Sequence, residues 1–540
     1  MINPQLLYEF WFHTTFSALI LDPVMKLALA STLTSIFLLL ADDWGSYDAS
    51  FRIRRLGRDP DVHTPTIDLL AAEGITFENY YVQPICTPTR ASLLSGRYSI
   101  HTGSEHLLFG ATEPSCLPMA LPLLPAAFKR LGYATHGVGK WHLGAVNGSC
   151  APWGRGFDSW LGYMNGNEGY YSHGFSGHPD WHACGVSGDM SATNASACNG
   201  CSPLFAGRYS TEVYTERVQE LISSWRPEGA PLFVYLAWQA VHEPLEVPEQ
   251  YVQRFRSIAD RSRRVYAGML FAMDEGIANL TATLRRTGMD RRSLLVLSND
   301  NGGMSGTYGM GCCQCGTSYG GLNWPYRAPT IVPLPDDCAG TYMHTGTSCG
   351  GLNWPYRGWK DSYYEGGFRG IGFLWAPWLT HAPPPPTTPH AERLFLEPST
   401  VRVEAPTTTM RVEAPKGPEK RGLLVGEEAR RGEEAWRGSA ATPLVYSHLL
   451  WVGDWYKTLL SAAAHNTDAS TKAAIRRALA PLLSSGPIDS VDHWEVRMCM
   501  GMGTGTGMGM GMGMGMGMGM DMGMGMGMDM GMGMGTCTCA

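Results

Sequence analysis

Cys86-Thr-Pro-Thr-Arg90-Ala-Ser-Leu-Leu-Ser-Gly96-Arg97-Tyr-Ser-Ile-His-Thr-Gly103 is the stretch from which the rest of the chain is read. Pro88 sets its own φ and belongs in a first helical turn. The cysteine is therefore expected just before or at a helix N-terminus, where free N–H groups favour an anion. Arg90 is placed to project back toward that end. A small polar or nucleophilic group at a helix mouth beside a guanidinium suits a tetrahedral oxyanion such as phosphate or sulfate. Taken alone, a cysteine in such a chain reads as a buried or disulfide-bonded thiol.

Composition narrows the setting. The chain has 540 residues, a formal net charge of −7, 16% charged residues and 44% hydrophobic ones. That is ample for a large core and offers no basic footprint for nucleic acid. The length suits two to four average domains or one large α/β enzyme. Fourteen cysteines are too few to staple so long a chain. Cys116, Cys150, Cys184, Cys198 and Cys201, however, lie in turn-rich sequence and would pair in an oxidising compartment. Sequons at Asn147, Asn194 and Asn279 point the same way, to a glycoprotein of the secretory pathway, extracellular or lysosome-like. Leu27 to Ala41 follows Met25-Lys26 without a charge and reads as the apolar part of a signal peptide. Ser35 to Ala41 competes for the same residues as a buried parallel strand ending in Asp42-Asp43. We read 35–41 as strand and 1–34 as an apolar leader.

Two further apolar runs follow. Leu232 to Leu236 leads to His242, and Ser293 to Ser298 leads to Asn299-Asp300-Asn301-Gly-Gly. Helices are expected between them: Thr64 to Gly74 with its capping residue, Pro65 and exit glycine, Leu121 to Leu131, a helix bearing Val213 to Trp225 on one face, and Arg261 to Arg286. Gly139-Lys140-Trp-His142-Leu-Gly144 puts Lys140 and His142 two apart, on one face of an extended segment. Ala145 to Arg208, rich in Gly, Tyr, Ser and Asn, reads as long surface loops carrying specificity. In a parallel α/β sheet the strand ends converge on one crevice. There the oxygens of Asp42, Asp43, Asp300 and Asn301 suit a hard cation, Ca²⁺ or Mg²⁺, rather than zinc. Capping and turn formation are the bland alternative for the same residues.

Cys-x-Pro-x-Arg followed by Leu-Ser-Gly-Arg, with Gly-Lys-Trp-His-Leu-Gly, Val-His242-Glu-Pro-Leu, Ser-Asn-Asp300-Asn-Gly-Gly and Asn-Trp-Pro-Tyr-Arg-Gly-Trp-Lys360 in that order, resembles the formylglycine-dependent (type I) sulfatases. The nearest subgroup is arylsulfatase B-like (N-acetylgalactosamine-4-sulfatase-like). The resemblance implies an alkaline-phosphatase-like α/β/α sandwich with a mixed central sheet, and hydrolysis of aryl or glycan sulfate monoesters. It also implies a nucleophile, 3-oxoalanine (formylglycine), made from Cys86 by a formylglycine-generating enzyme. The cation would be Ca²⁺ or Mg²⁺, held by Asp42, Asp43, Asp300, Asn301 and position 86. Arg90, Lys140 and Lys360 would neutralise the sulfate and Asp300 would help deprotonate the attacking hydroxyl. His242 would serve the leaving oxygen, with Lys360, and His142 would drive the return to the aldehyde. Two other readings stay open: an inactive sulfatase-like protein or sulfated-glycan binder, and a phosphate-ester hydrolase of the same superfamily.

The chain departs from that pattern after Gly303. Gly320-Gly-Leu-Asn-Trp-Pro-Tyr-Arg327 recurs at 350–357, and only the second copy continues to Lys360. About 304–349 is therefore read as an insertion in a catalytic domain spanning 35–380. Its cysteines (Cys312, Cys313, Cys315, Cys338, Cys349) fit no zinc-ribbon spacing. Residues 381–443, opening with four prolines and repeating Arg-Val-Glu-Ala-Pro, read as a disordered insertion, and 444–496 as a remnant of a truncated or disrupted C-terminal subdomain. The Met-Gly tail, 497–540, reads as unstructured, because glycine at every second place makes ordering costly.

Overall fold

The computed structural model describes residues 33–105, 108–110, 113–145, 147–175, 177–185, 201–202, 205–304, 350–380, 444–465, 467–483 and 488–494. The leader, the insertion proper, the 381–443 segment and the Met-Gly tail lie outside them, as do Cys198 and Asn194.

Nine strands form one mixed sheet: β1 (Ser35–Ala41), β2 (Ile75–Phe77), β3 (Ala134–Lys140), β4 (Ser159–Tyr163), β5 (His182–Cys184), β6 (Leu232–Ala237), β7 (Ser293–Asn299), β8 (Gly372–Trp375) and β9 (Leu444–Tyr446). Their spatial order is β9-β2-β8-β7-β1-β6-β3-β4-β5. The five central strands β7, β1, β6, β3 and β4 are parallel, β5 and β8 flank them antiparallel, and β9 pairs parallel with β2.

β1 explains the layering. All seven of its residues are buried, and successive side chains point to opposite faces. Ile36, Leu38 and Leu40 enter one core with α2 (Cys86–Ser95), α3 (Leu124–Arg130), α6 (Trp455–Ala463) and α7 (Ala469–Leu483). Phe37, Leu39 and Ala41 enter the other with α1 (Pro65–Glu73), α4 (Ser210–Ser224) and α5 (Arg261–Thr287). The result is the expected α/β/α sandwich with a mixed sheet. Residues 444–494 contribute an edge strand and two core helices to this body rather than standing apart from it. No helix among the described residues is long and apolar enough to cross a membrane.

Three expectations need correction. Leu121–Leu131 is helical only over Leu124–Arg130, with Pro125 in its first turn, where a missing N–H costs nothing. Lys140 and His142 do not share an extended face: β3 ends at Lys140, and His142 turns away with φ +55°. Ala145–Arg208 is not surface loop throughout. It supplies β4 and β5 and buries Trp160, Tyr163, Tyr170 and Trp181 almost completely. The short run Ser-Trp-Leu-Gly-Tyr163 between Gly156 and Gly166 carried that signal, but glycine and asparagine around it obscured it.

Cys116 and Cys150 form a disulfide, and Cys184 is also disulfide-bonded. Among the described residues Cys86 is a buried free thiol, and Cys201, expected from the sequence to pair, is instead free and exposed. Asn147 is exposed, whereas Asn279 sits half-buried inside α5 with its carbonyl accepting from Gln219.

Candidate active site

The three apolar runs are adjacent in the sheet, so their C-terminal ends open into one crevice. Asp42 and Asp43 follow β1, Asp300 and Asn301 follow β7, and the turn Gln239–His242 follows β6. Backbone bonds tie the ends together: Asp42 N–H donates to Ala240 O (2.9 Å), Val241 N–H to Asp42 O (2.7 Å) and Asp300 N–H to Ala41 O (3.0 Å). Asn299, fully buried, donates from Nδ2 to Trp44 O and Asn301 O and accepts from Ile371 N–H.

Cys86 is the first residue of α2, after the extended Ile85. The motif's threonines fix that helix to the crevice. Thr87 Oγ1 donates to His142 O (2.9 Å) and Thr89 Oγ1 to Asp300 O (2.5 Å). Cys86 Sγ then lies 3.6 Å from Asp42 Oδ1 and 3.3 Å from Lys140 Nζ. Burial pushes the Cys86 thiol far above its ordinary range, so it rests as a neutral S–H.

Lys140 is delivered by a close strand approach. At Gly139 (φ +99°) a Cβ would stand 1.9 Å from Ala237 O, so only glycine fits there. Lys140 Nζ bonds Asp42 Oδ2 at 2.6 Å. Arg90 Nη2 lies 2.8 Å from Asp300 Oδ2 and 3.4 Å from Asp42 Oδ2, and its Nη1 donates to Lys140 O at 3.2 Å. Lys360 Nζ reaches Asp43 at 2.8 Å and 3.0 Å. His242 donates from Nδ1 to Glu243 O (2.7 Å), turning Nε2 toward Asp43 Oδ2, 3.7 Å away. Asp42, Asp43, Cys86, Arg90, Lys140, His242, Asp300, Asn301 and Lys360 thus meet in one buried cluster, with the buried His142 ring within electrostatic reach of its cations.

Electrostatics follow from the pairing. Burial opposes the charge of Asp42, but Lys140, His242 and Arg90 outweigh it and hold the carboxyl below its usual range. For Asp43 burial is again the opposing effect, and Lys360 and His242 prevail. Burial first, then Lys140, Arg90, Lys360 and His242, push His142 well below 6.5, so it stays neutral at physiological pH. Its buried Nδ1 has no hydrogen-bond partner among the described residues. Gly166 leaves room for the ring, since a Cβ there would stand 2.9 Å from His142 Cε1.

The donor set fits a hard cation. Asp42, Asp43, Cys86 and His242 offer potential ligand atoms within 4.8 Å of one another. Asn301 Nδ2 donates to Asp43 Oδ1 (2.7 Å) and Gly302 O (3.0 Å), which leaves Asn301 Oδ1 a buried acceptor with no donor among the described residues. An orphaned amide oxygen beside three buried carboxylates is the oxygen-rich environment that Ca²⁺ or Mg²⁺ satisfies.

Residues absent from the sequence reading hold the far side. Asn353 clamps Gly303 through two 2.8 Å bonds, and Gly351 N–H donates to Met304 O (3.2 Å), so the two borders of 305–349 meet. Asp48, through Leu352 N–H, and Arg263, through Gly350 O, pin the same segment. Only the repeated Asn-Trp-Pro-Tyr-Arg hinted that this stretch docks.

The family model described as Sulfatase matches residues 34–382. "Arylsulfatase J" of Mus musculus is 39% identical over 344 residues, covering 64% of this chain and 48% of that protein. "N-acetylgalactosamine-6-sulfatase" of Mus musculus is 29% identical over 280 residues, half of each chain. The chain spans about half the length of these curated relatives. Among solved structures, "Crystal structure of Ps i-CgsB" shares the fold at a TM-score of 0.55 and 20% identity, covering 87% of this chain and 77% of that one.

Proposed function

The chain belongs to the sulfatase family, and from that premise we propose that it hydrolyses sulfate monoesters, of sugars or phenols, to an alcohol and sulfate. The observation that carries this is position 86 itself: a helix-start side chain 3.3 Å from Lys140 Nζ and 3.6 Å from Asp42, with Arg90, Lys360 and His242 around the same carboxylates. The curated relative named N-acetylgalactosamine-6-sulfatase supports a sulfated amino-sugar substrate, and the one named arylsulfatase supports a phenol sulfate.

Asp42, Asp43, Asp300 and Asn301, with position 86, would hold Ca²⁺ or Mg²⁺. Bound there, the cation would polarise the sulfate oxygens, and a formylglycine derived from Cys86 by a formylglycine-generating enzyme would supply, as its hydrate, the attacking hydroxyl. The chain's own residues do the rest. Lys140 and Lys360 neutralise charge on the sulfate oxygens, and Arg90 aligns Asp42 and Asp300 against position 86. Asp300 receives the proton of the attacking hydroxyl. His242, with Nδ1–H committed to Glu243 O, serves the leaving oxygen from Nε2 beside Lys360. His142, held neutral by burial and the surrounding cations, would accept the proton given up at position 86 after sulfate transfer.

The Cys116–Cys150 disulfide and exposed Asn147 support folding in the secretory pathway. The test is turnover of 4-nitrophenyl sulfate by protein made in cells that contain the maturing enzyme. Turnover that vanishes in Cys86→Ala supports the reading, and no turnover by the wild-type chain overturns it.

A further inference from the structure

His242 stands at the end of a four-residue turn whose hold on the sheet comes from an unexpected place. Gln239–His242 leaves β6 and is closed by His242 N–H donating to Gln239 O at 2.7 Å. Both carbonyls of that closure are claimed by one side chain. Tyr170 Oη lies 2.8 Å from His242 O and 3.1 Å from Gln239 O. The phenol is completely buried. Its own backbone is fixed on both sides, with Tyr170 N–H donating to Glu246 Oε2 at 2.7 Å and Ser210 N–H donating to Tyr170 O at 2.9 Å. Gln239 is gripped from the same segment: its Nε2 donates to Glu168 O (2.9 Å) and its Oε1 accepts from Ser210 Oγ (2.7 Å).

We propose that Tyr170 is a positioning residue for His242: its hydroxyl fixes the 239–242 turn so that imidazole Nε2 faces the leaving oxygen of the sulfate ester. This rests on the role given to His242 above. The physical reason is one of degrees of freedom. Among the described residues the imidazole makes one hydrogen bond, Nδ1–H to the carbonyl of the very next residue, Glu243, besides the 3.7 Å approach of Nε2 to Asp43 Oδ2. That bond sets the ring relative to its own backbone and does nothing to set the backbone relative to Asp43. Two backbone bonds to Asp42 hold Ala240 and Val241, but at His242 the chain is already turning out of the sheet. Tyr170 supplies the missing constraint at that end. A hydroxyl carries one hydrogen, and the buried acceptor that its removal leaves short of a donor is His242 O, since Gln239 O keeps the His242 N–H. A displacement of about 1 Å at a group that must meet a leaving oxygen is costly to rate while leaving substrate binding largely intact.

The distinguishing measurement is leaving-group dependence. Tyr170→Phe retains the ring and its stack on Tyr209, 5.4 Å away. Steady-state rates would be taken on aryl sulfates of rising phenol pKa and on an N-acetylgalactosamine sulfate, for wild type, Tyr170→Phe, His242→Ala and the double variant. The expected result is a kcat loss of about tenfold on the poorest leaving group, about twofold on 4-nitrophenyl sulfate, and little change in KM. In the His242→Ala background Tyr170→Phe should have no further effect, because the two act through one group. Tyr209→Phe removes a neighbouring phenol that makes no hydrogen bond with the turn, and should leave the slope unchanged. Glu246→Gln loosens Tyr170 from its backbone side and should give a smaller change in the same direction, which keeps the test alive if Tyr170→Phe folds poorly. Equal losses across the series, or losses additive with His242→Ala, overturn the role of Tyr170 alone. An inactive wild-type chain overturns the sulfatase reading and this proposal together.

Discussion

Asp43 is approached from two sides that are built differently. On one side are Asp42, Asp43, Asp300, Asn301 and Lys140, each at or just beyond the C-terminal end of a parallel strand whose residues are buried throughout or nearly so. On the other is Lys360, brought in by an irregular segment that begins where the 305–349 stretch ends. The first group is placed by apolar packing on both faces of a sheet and tolerates little displacement. The second is placed by a few polar clamps: Asn353 on Gly303, Asp48 on Leu352, Arg263 on Gly350, and Lys360 N–H on Gly303 O. A sheet fixes a side chain by many small contacts, a loop by a few bonds that can each be removed.

The largest effects should come from the strand-borne side. Cys86→Ala should lower kcat on the order of 10⁴-fold with thermal stability changed little, since it removes the nucleophile and only two weak sulfur contacts, to Asp42 and Lys140. Asn301→Ala deletes the orphaned oxygen. It should cost on the order of 10²-fold in activity, partly recovered at high Ca²⁺, and weaken stabilisation by Ca²⁺ in a melting experiment.

Breaking the loop-borne side sharpens the contrast. Lys360→Ala should cost about 10²-fold in kcat/KM. Asn353→Ala leaves Lys360 in the chain but unclamps it, and should cost about tenfold in rate together with ~1–3 kcal/mol of stability in urea unfolding. An Asn353→Ala effect as large as that of Lys360→Ala with no stability change would show that the clamp does more than position. Replacing residues 305–349 with a short Gly-Ser linker should keep activity within about threefold, because Met304 and Gly351 already meet across a 3.2 Å bond. A collapse of activity in that variant would make the stretch part of the site.

The smallest effect concerns the rigid face. Asp274 on α5 accepts from the first N–H groups of α1, Thr66 and Ile67, and burial lifts its carboxyl to about 7. Its folded pKa is above the unfolded value of 3.8. The stability it contributes is therefore full below pH 3.8 and lost as pH rises through about 7. Asp274→Asn should be more damaging at pH 5 than at pH 8, with the difference ~2 kcal/mol. An equal deficit at both pH values would contradict this.

What could be read from the sequence follows the same division. Asp42, Asp43, Asp300 and Asn301 were legible because buried parallel strands announce themselves as short apolar runs, and the residue after such a run falls at the crevice. Cys86 and Arg90 were legible because Pro88 dictates the helix start. Lys360 was reached only through the continuation of a repeated octapeptide, since nothing in its own neighbourhood has a period. Tyr170 and Gln239 were invisible. A tyrosine in a Gly- and Asn-rich stretch reads as loop, and the groups that hold it, Ser210, Gln239, His242 and Glu246, lie far on in sequence. His142 was found, but its placement was misjudged, because a positive φ after a strand leaves no mark in residue spacing.

The mass of the tryptic peptide Asp59–Arg90, from protein expressed through the secretory pathway, tests the central claim most directly. The account predicts loss of the Cys86 sulfur in favour of an aldehyde oxygen in most molecules. An intact, alkylatable thiol in most molecules, with the maturing enzyme present, would contradict it and leave a sulfatase fold without its nucleophile.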